Sequence, residues 1–174
     1  MATAGSPRIV VMGVSGCGKS TVGRQLAAAL DVPYVEGDEL HPPHNVALMA
    51  AGTPLTDADR QGWLQAVAAQ LAGAAGRGVV VTCSALKRSY RDLLRSAAPD
   101  LRFIHLQGSR ELLEQRMAAR LGHYMPPSLL QSQLDSLQPP ADDEAPITLD
   151  IGPPAEQLVA AALQALQALQ RAER

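Results

Sequence analysis

The sequence predicts an α/β fold: one parallel sheet of five strands with helices on both faces. Three observations carry this. Short apolar runs alternate with helical patterns along the chain. The first run leads directly into a glycine-rich loop and then a helix. Apolar residues make up 47% of the 174 positions, enough for one compact core and a single domain spanning 1–174.

Residues 8–12 (RIVVM) read as a buried parallel strand. The next stretch, Gly13-Val14-Ser15-Gly16-Cys17-Gly18-Lys19-Ser20-Thr21, fits G-x-x-x-x-G-K-[ST]. Its glycines allow backbone N–H groups to point inward at phosphate oxygens. Lys19 places a positive charge on the β- and γ-phosphates, and the Ser20 hydroxyl is the expected protein ligand of Mg²⁺. A helix follows, with Val22, Leu26, Ala29 and Leu30 at helical spacing, so its N-terminus adds a favourable dipole for an anion.

Four more strands are predicted at residues 32–36, 77–83, 101–106 and 146–151. Helical patterns occupy 57–75, 86–97, 109–121, 127–137 and 154–171, and right-handed crossovers between them fix most of the topology. Two regions interrupt the alternation. Residues 40–56, rich in Pro, Gly, His and Asn, open a substrate-binding insertion over about 40–75. Residues 116–140 hold an Arg-bearing helix and a proline-bracketed stretch, the place for a closing lid. The last helix carries an apolar stripe, Leu158, Val159, Ala162, Leu163, Leu166 and Leu169, and is expected to pack on the sheet rather than form a coiled coil. Trp63, with Leu64 and Val67, is expected in the core.

Composition limits the partners. Aromatics are 3% of the chain, so the core is built from Ala, Val and Leu. A net charge of −2 provides no basic field for nucleic acid. No apolar run approaches membrane-spanning length, and the first residues, MATAGSP, lack the apolar stretch of a signal peptide. The two cysteines, Cys17 and Cys83, lie far apart and have no zinc-like neighbours. A cytoplasmic protein with reduced thiols follows, bound to neither nucleic acid nor membrane.

A phosphate loop alone does not separate a small-molecule kinase from a GTPase or a motor. The third strand ends in Thr82, Cys83 and Ser84, where a motor would carry an acid, and no N-K-x-D run occurs. Asp38 follows the second strand, at the edge where ligands collect in open α/β sheets. It is the candidate base, or the group that orients an attacking hydroxyl. Glu36 and Glu39 compete for that role, but strand alternation is expected to turn Glu36 to the other face. Cations cluster at Arg60, Lys87, Arg88 and Arg91. Arg116 and Arg120 share a helix face at i, i+4, a pairing suited to charge on a transferred phosphoryl group.

Three long blocks go further. The run GDELHPPHNVALMAAGTPLTDADRQGWL, residues 37–64, the run CSALKRSYRDLLR, residues 83–95, and GHYMPPSLLQSQLDSLQPPADDE, residues 122–144, closely resemble the gluconokinases, a group of P-loop small-molecule kinases. The resemblance covers residues 9–151. It implies a nucleoside-kinase-like α/β/α fold with a lid, often as a homodimer. The implied reaction moves the ATP γ-phosphate to the 6-hydroxyl of D-gluconate, with Mg²⁺. Under it Lys19, Asp38 and Arg120 are catalytic. Residues 13–21 and Arg116 hold the nucleotide, and the loop 150–154 lies where related kinases cradle adenine. His41, Arg60, Lys87, Arg91, His123 and Gln133 join Asp38 around the substrate. A guanidinium suits the gluconate carboxylate bidentately. Cys17 departs from the Ser of many relatives and, if exposed, would sensitise the loop to alkylation. Tyr124 and Leu134 stand at positions often Phe. Shikimate kinases share the general layout, but their G-G-G run after the third strand is missing here.

Overall fold

The computed structural model describes residues 5–119, 126 and 128–174. Its five strands are β1 (Arg8–Met12), β2 (Tyr34–Glu36), β3 (Val79–Thr82), β4 (Arg102–Gln107) and β5 (Ile147–Asp150). They pair in the order β2-β3-β1-β4-β5, every pair parallel. The helices are α1 (Lys19–Leu30), α2 (Pro43–Ala50), α3 (Asp57–Ala72), α4 (Arg88–Ala97), α5 (Arg110–Ala119), α6 (Leu129–Ser136) and α7 (Ala155–Ala172).

Alternation along β1 builds the two sides of the core. Ile9 and Val11 face a cluster containing Leu26 of α1 and Leu158, Ala162 and Leu166 of α7. Val10 and Met12 face the other side, against Trp63, Leu64, Val67 and Leu71 of α3 and Leu94 of α4. Thus the apolar stripe of α7 packs against α1 and β5, as expected from its period. Trp63 is 1% exposed, in the core, where its Nε1–H donates to the Gly37 carbonyl at 2.8 Å.

The chain leaves β1 for β2 and β3 on one side and β4 and β5 on the other. The C-terminal edge of β1 is therefore a switch point, where a crevice opens. Two elements depart from the sequence reading. A 3-10 turn, Gly37–Leu40, follows β2 at once, and α2 occupies residues expected to be irregular. Pro42 and Pro43 look like breakers in sequence. Pro43 instead starts α2, where a missing N–H costs nothing. A capping box of Thr56 and Asp59 then opens α3. Among the described residues, no helix is long and apolar enough to cross a membrane.

Candidate active site

Gly18 caps α1 in a left-handed conformation, φ 92°, so the phosphate loop passes directly into the first helical turn. Lys19 folds back over the loop, its Nζ donating to the carbonyls of Gly13 at 3.0 Å and Val14 at 3.1 Å. That holds the ammonium at the mouth of the cradle. Val14 and Cys17 lie beneath it, each buried. The Cys17 thiol is 1% exposed, so the condition for easy alkylation is not met.

A cleft of about 420 Å³ opens over the loop, lined by Ser15, Gly16, Gly18, Lys19, Ser20, Glu36, Asp38, Glu39, His41 and Val46. A narrow chamber of about 40 Å³ continues from it. Ser15, Lys19, Asp38 and His41 line both. The chamber adds Arg60, Trp63, Met49, Leu55, Ser84, Leu129 and Gln133, among others. Asp38 is the one carboxylate among its lining residues.

Glu36 differs most from expectation. Its carboxylate accepts the Ser20 hydroxyl at 2.6 Å, the Tyr34 hydroxyl at 2.5 Å and the Thr82 hydroxyl at 2.8 Å. Alternation does not carry past it, because the chain enters the 3-10 turn at Gly37. A side chain is forbidden there: a Cβ would lie 1.7 Å from the Thr82 carbonyl oxygen. The close approach puts Glu36 and Asp38 on one cleft. Burial alone would raise the Glu36 pKa, but the three hydroxyls and the nearby Arg24 charge hold it below the usual carboxylate range. Tyr34, by burial and its bond to Glu36, is pushed up to about 12. Glu36 stands in register with Thr82, so a carboxylate from the neighbouring strand lies beside the end of β3.

His41 stacks on Trp63, ring centroids 4.2 Å apart. Burial pushes its pKa down to about 4, aided by Arg60 and opposed by Asp38. Arg60 donates to the Leu55 carbonyl at 2.8 Å and the Tyr90 hydroxyl at 3.3 Å. The Tyr90 hydroxyl also donates to Asp57, which pairs with Lys87 at 2.9 Å. From α6, the Gln133 side-chain oxygen accepts the Ser15 backbone N–H at 2.7 Å, in the phosphate loop itself.

A family profile described as an AAA domain matches residues 9–140. A gluconokinase from Gluconobacter oxydans is 52% identical over 138 residues, covering 78% of each chain. The chain belongs to the gluconokinase family. The thermoresistant gluconokinase of Escherichia coli is 42% identical over 91% of this chain and 92% of its own. The crystal structure of a gluconokinase from Sinorhizobium meliloti 1021 superposes with a TM-score of 0.87 at 50% identity, over 94% of this chain and 93% of that one. The five-stranded kinase fold expected from the sequence is the fold observed.

Measured against the gluconokinase blocks, the structure brings Ser15, Gly16, Gly18, Lys19, Ser20, Asp38, His41, Arg60 and Gln133 to the two connected clefts. Thr21 is exposed on α1 and does not line them. Lys87 lines neither cleft and is held by Asp57. Arg116 donates to the Ile151 carbonyl at 2.7 Å, which joins α5 to the 150–154 loop. Arg120 and His123 lie outside the described residues.

Arg91 is a correction. It is fully buried, with its guanidinium on Glu144 at 2.7 Å and on the carbonyls of Ala85 and Gln138. A fully buried arginine that spends four of its five N–H donors on a carboxylate and two carbonyls does not reach a substrate in either cleft. It instead clamps the return from α6 onto α4. Asn45 and the role of Glu36 went unread in the sequence. The Glu36-x-Asp38 spacing at a strand end was the available signal, because a turn after one residue breaks alternation.

Proposed function

We infer that this chain is an ATP-dependent gluconokinase, transferring the γ-phosphate to the 6-hydroxyl of D-gluconate to give 6-phospho-D-gluconate and ADP. The observation that carries this reading is the position of Asp38. It stands on the wall shared by the phosphate cleft and the chamber, so a hydroxyl beside it faces a nucleotide held over Lys19. The chamber suits a polyhydroxy acid: a guanidinium at Arg60, a ring nitrogen at His41, and hydroxyls at Ser84 and Ser132. Arg60 is the proposed partner of the gluconate carboxylate, as a planar fork that binds carboxylates bidentately. Behind it the Tyr90 ring lies against both Arg60 and Lys87, and Lys87 pairs with Asp57.

Asp38 orients the attacking hydroxyl and takes its proton as the phosphoryl group moves. The transition state is loose, so positioning matters more than base strength. Lys19 stabilises the charge that builds on the transferred group. Gln133 and, in the expected lid, Arg120 and His123 complete the enclosure, while Arg116 and the 150–154 loop hold the nucleotide's other end.

The residues fit Mg²⁺ in the manner of this motif. Among the described residues no three His, Cys, Asp or Glu side chains converge on one point. Mg²⁺ ordinarily keeps waters and phosphate oxygens and needs few protein ligands. The Ser20 hydroxyl would be one, with the ionised Glu36 carboxylate beside it to accept a hydrogen bond from that hydroxyl or from a bound water. When present, the ion neutralises phosphate charge. The enzyme is proposed to work in the cytoplasm, in keeping with two free cysteines.

A coupled assay for ADP release across a panel of aldonic acids, shikimate and nucleoside monophosphates tests the proposal. Gluconate should stimulate Mg²⁺-dependent turnover well above the rest. Turnover with another acceptor and none with gluconate would remove the substrate assignment. Asp38→Asn should lower kcat by roughly 10²–10⁴.

A further inference from the structure

The tautomer of His41 can be read from its neighbours. Asn45 is 1% exposed, and its side-chain Nδ2 donates to the Asp59 carbonyl at 2.8 Å. A carbonyl oxygen only accepts, so that corner of the amide must be the NH₂ group. The same Nδ2 lies 3.2 Å from His41 Nδ1. An amide NH₂ has no lone pair to offer, so His41 Nδ1 must accept. In a neutral imidazole with Nδ1 accepting, the proton sits on Nε2.

We propose that Asn45 is a positioning residue that fixes the His41 proton on Nε2, so that His41 meets the acceptor polyol only as a hydrogen-bond donor. Two contacts and the charges around the ring support it. Asp59 is itself held by the capping box with Thr56, so the carbonyl that orients Asn45 is rigid. Stacking on Trp63 fixes the plane of the ring. The charged groups facing His41 are Asp38 and Arg60; burial, aided by Arg60, outweighs Asp38 and keeps the ring neutral near pH 7.

The consequence is a division of labour in the chamber. His41 has no lone pair for a substrate proton, so it is not a rival base. Asp38 is left as the acceptor, and His41 Nε2–H is free to donate to an oxygen of the acceptor's hydroxyl chain. A ring presenting a lone pair there would instead compete with Asp38 for the same hydroxyl proton.

The inference about substrate rests on the gluconate reading, whereas the tautomer does not, and the test separates them. Long-range ¹H–¹⁵N correlation spectra of the whole enzyme give the tautomer directly, with His41 assigned by a His41→Phe variant. In the wild type at pH 7, Nε2 should show the protonated pyrrole-type shift and Nδ1 the pyridine-type shift. The reverse pattern, or an imidazolium, overturns the proposal. Asn45→Asp replaces the donor with an acceptor and should move the proton to Nδ1 or charge the ring. Asn45→Leu should give a mixture of tautomers and raise the gluconate KM roughly tenfold, with the ATP KM little changed. An unaltered signature in folded variants removes Asn45 from the role. Should both variants fail to fold, adding gluconate to the wild type decides the substrate part. A shifted Nε2–H resonance supports donation, and an unmoved one with gluconate being turned over overturns it. If gluconate is not turned over at all, the acceptor assignment fails and the tautomer result stands alone.

Discussion

Glu36 accepts the Ser20 hydroxyl at 2.6 Å, tying the end of β2 to the first turn of α1 on the floor of the phosphate cleft. The bond fixes which way the Ser20 oxygen points its lone pairs. It also places a carboxylate next to the one hydroxyl expected to touch the metal, and that carboxylate is ionised across the working pH range because three hydroxyls and Arg24 stabilise its charge.

Glu36→Gln keeps the shape and removes the charge. The Ser20 hydroxyl would lose its strong acceptor, and affinity for Mg²⁺ in the presence of ADP should weaken by about 10–100-fold. Calorimetric titration of Mg²⁺ into the enzyme–ADP complex reads this without turnover. The gluconate KM should change far less. A variant with unaltered Mg²⁺ affinity would show that Glu36 serves only to join β2 to α1.

The misreading of Glu36 shows what the sequence can and cannot convey. The glycine loop, the strands and the apolar stripes were legible because each is a local pattern: a spacing, a run or a period. Trp63 was legible for the same reason. The second carboxylate was not, because its direction depends on Gly37 pressing against Thr82 from another strand. Arg91 failed likewise. Its place beside Lys87 and Arg88 suggested a cationic patch, and only the fold brings Glu144 to it from 53 residues away. Long-range pairing of charge leaves no mark in local spacing. The helix α2 was hidden by its own prolines, which act as a start signal only when a helix follows them.

Arg91 and Glu144 should behave as a structural pair. Burial would raise the Glu144 pKa, but Arg91 and Arg95 hold it down at about 2, so it remains charged inside the fold. Arg91→Leu leaves that charge with Arg95 alone and should cost about 3 kcal/mol of stability. The double variant Arg91→Leu, Glu144→Leu should recover most of the loss. Chemical denaturation measures both. The gluconate KM of the folded single variant should move by less than about threefold, which a substrate-binding arginine would not allow.

Gln133 accepts the Ser15 N–H of the phosphate loop at 2.7 Å. A phosphate oxygen seeking that amide must displace it. Gln133→Ala removes the competitor, so ATP alone should bind a few-fold more tightly, while the gluconate KM should rise as the chamber loses a polar wall. Isothermal titration with a non-hydrolysable ATP analogue, alongside gluconate kinetics, checks the two opposite changes. Weaker nucleotide binding would mean that Gln133 supports the loop rather than competing with phosphate.

His41 makes stability depend on pH in a defined direction. Its pKa is about 4 in the folded chain, against an ordinary value near 6.5 once unfolded. Between those values the unfolded chain binds a proton that the folded chain refuses. Stability from this group is therefore complete above about pH 6.5 and is lost as the pH falls toward about 4. Between pH 7 and pH 5 the loss should be roughly 2 kcal/mol. His105, whose pKa is lowered by burial and by Arg91, acts in the same direction, so some dependence will persist in any His41 variant. His41→Gln should remove the larger share. Urea unfolding at the two pH values, followed by the fluorescence of the single tryptophan, Trp63, measures it. An equal pH dependence in wild type and variant would mean that the His41 ring protonates freely in the folded enzyme, and that its stacked, half-buried seat against Trp63 does not set its charge.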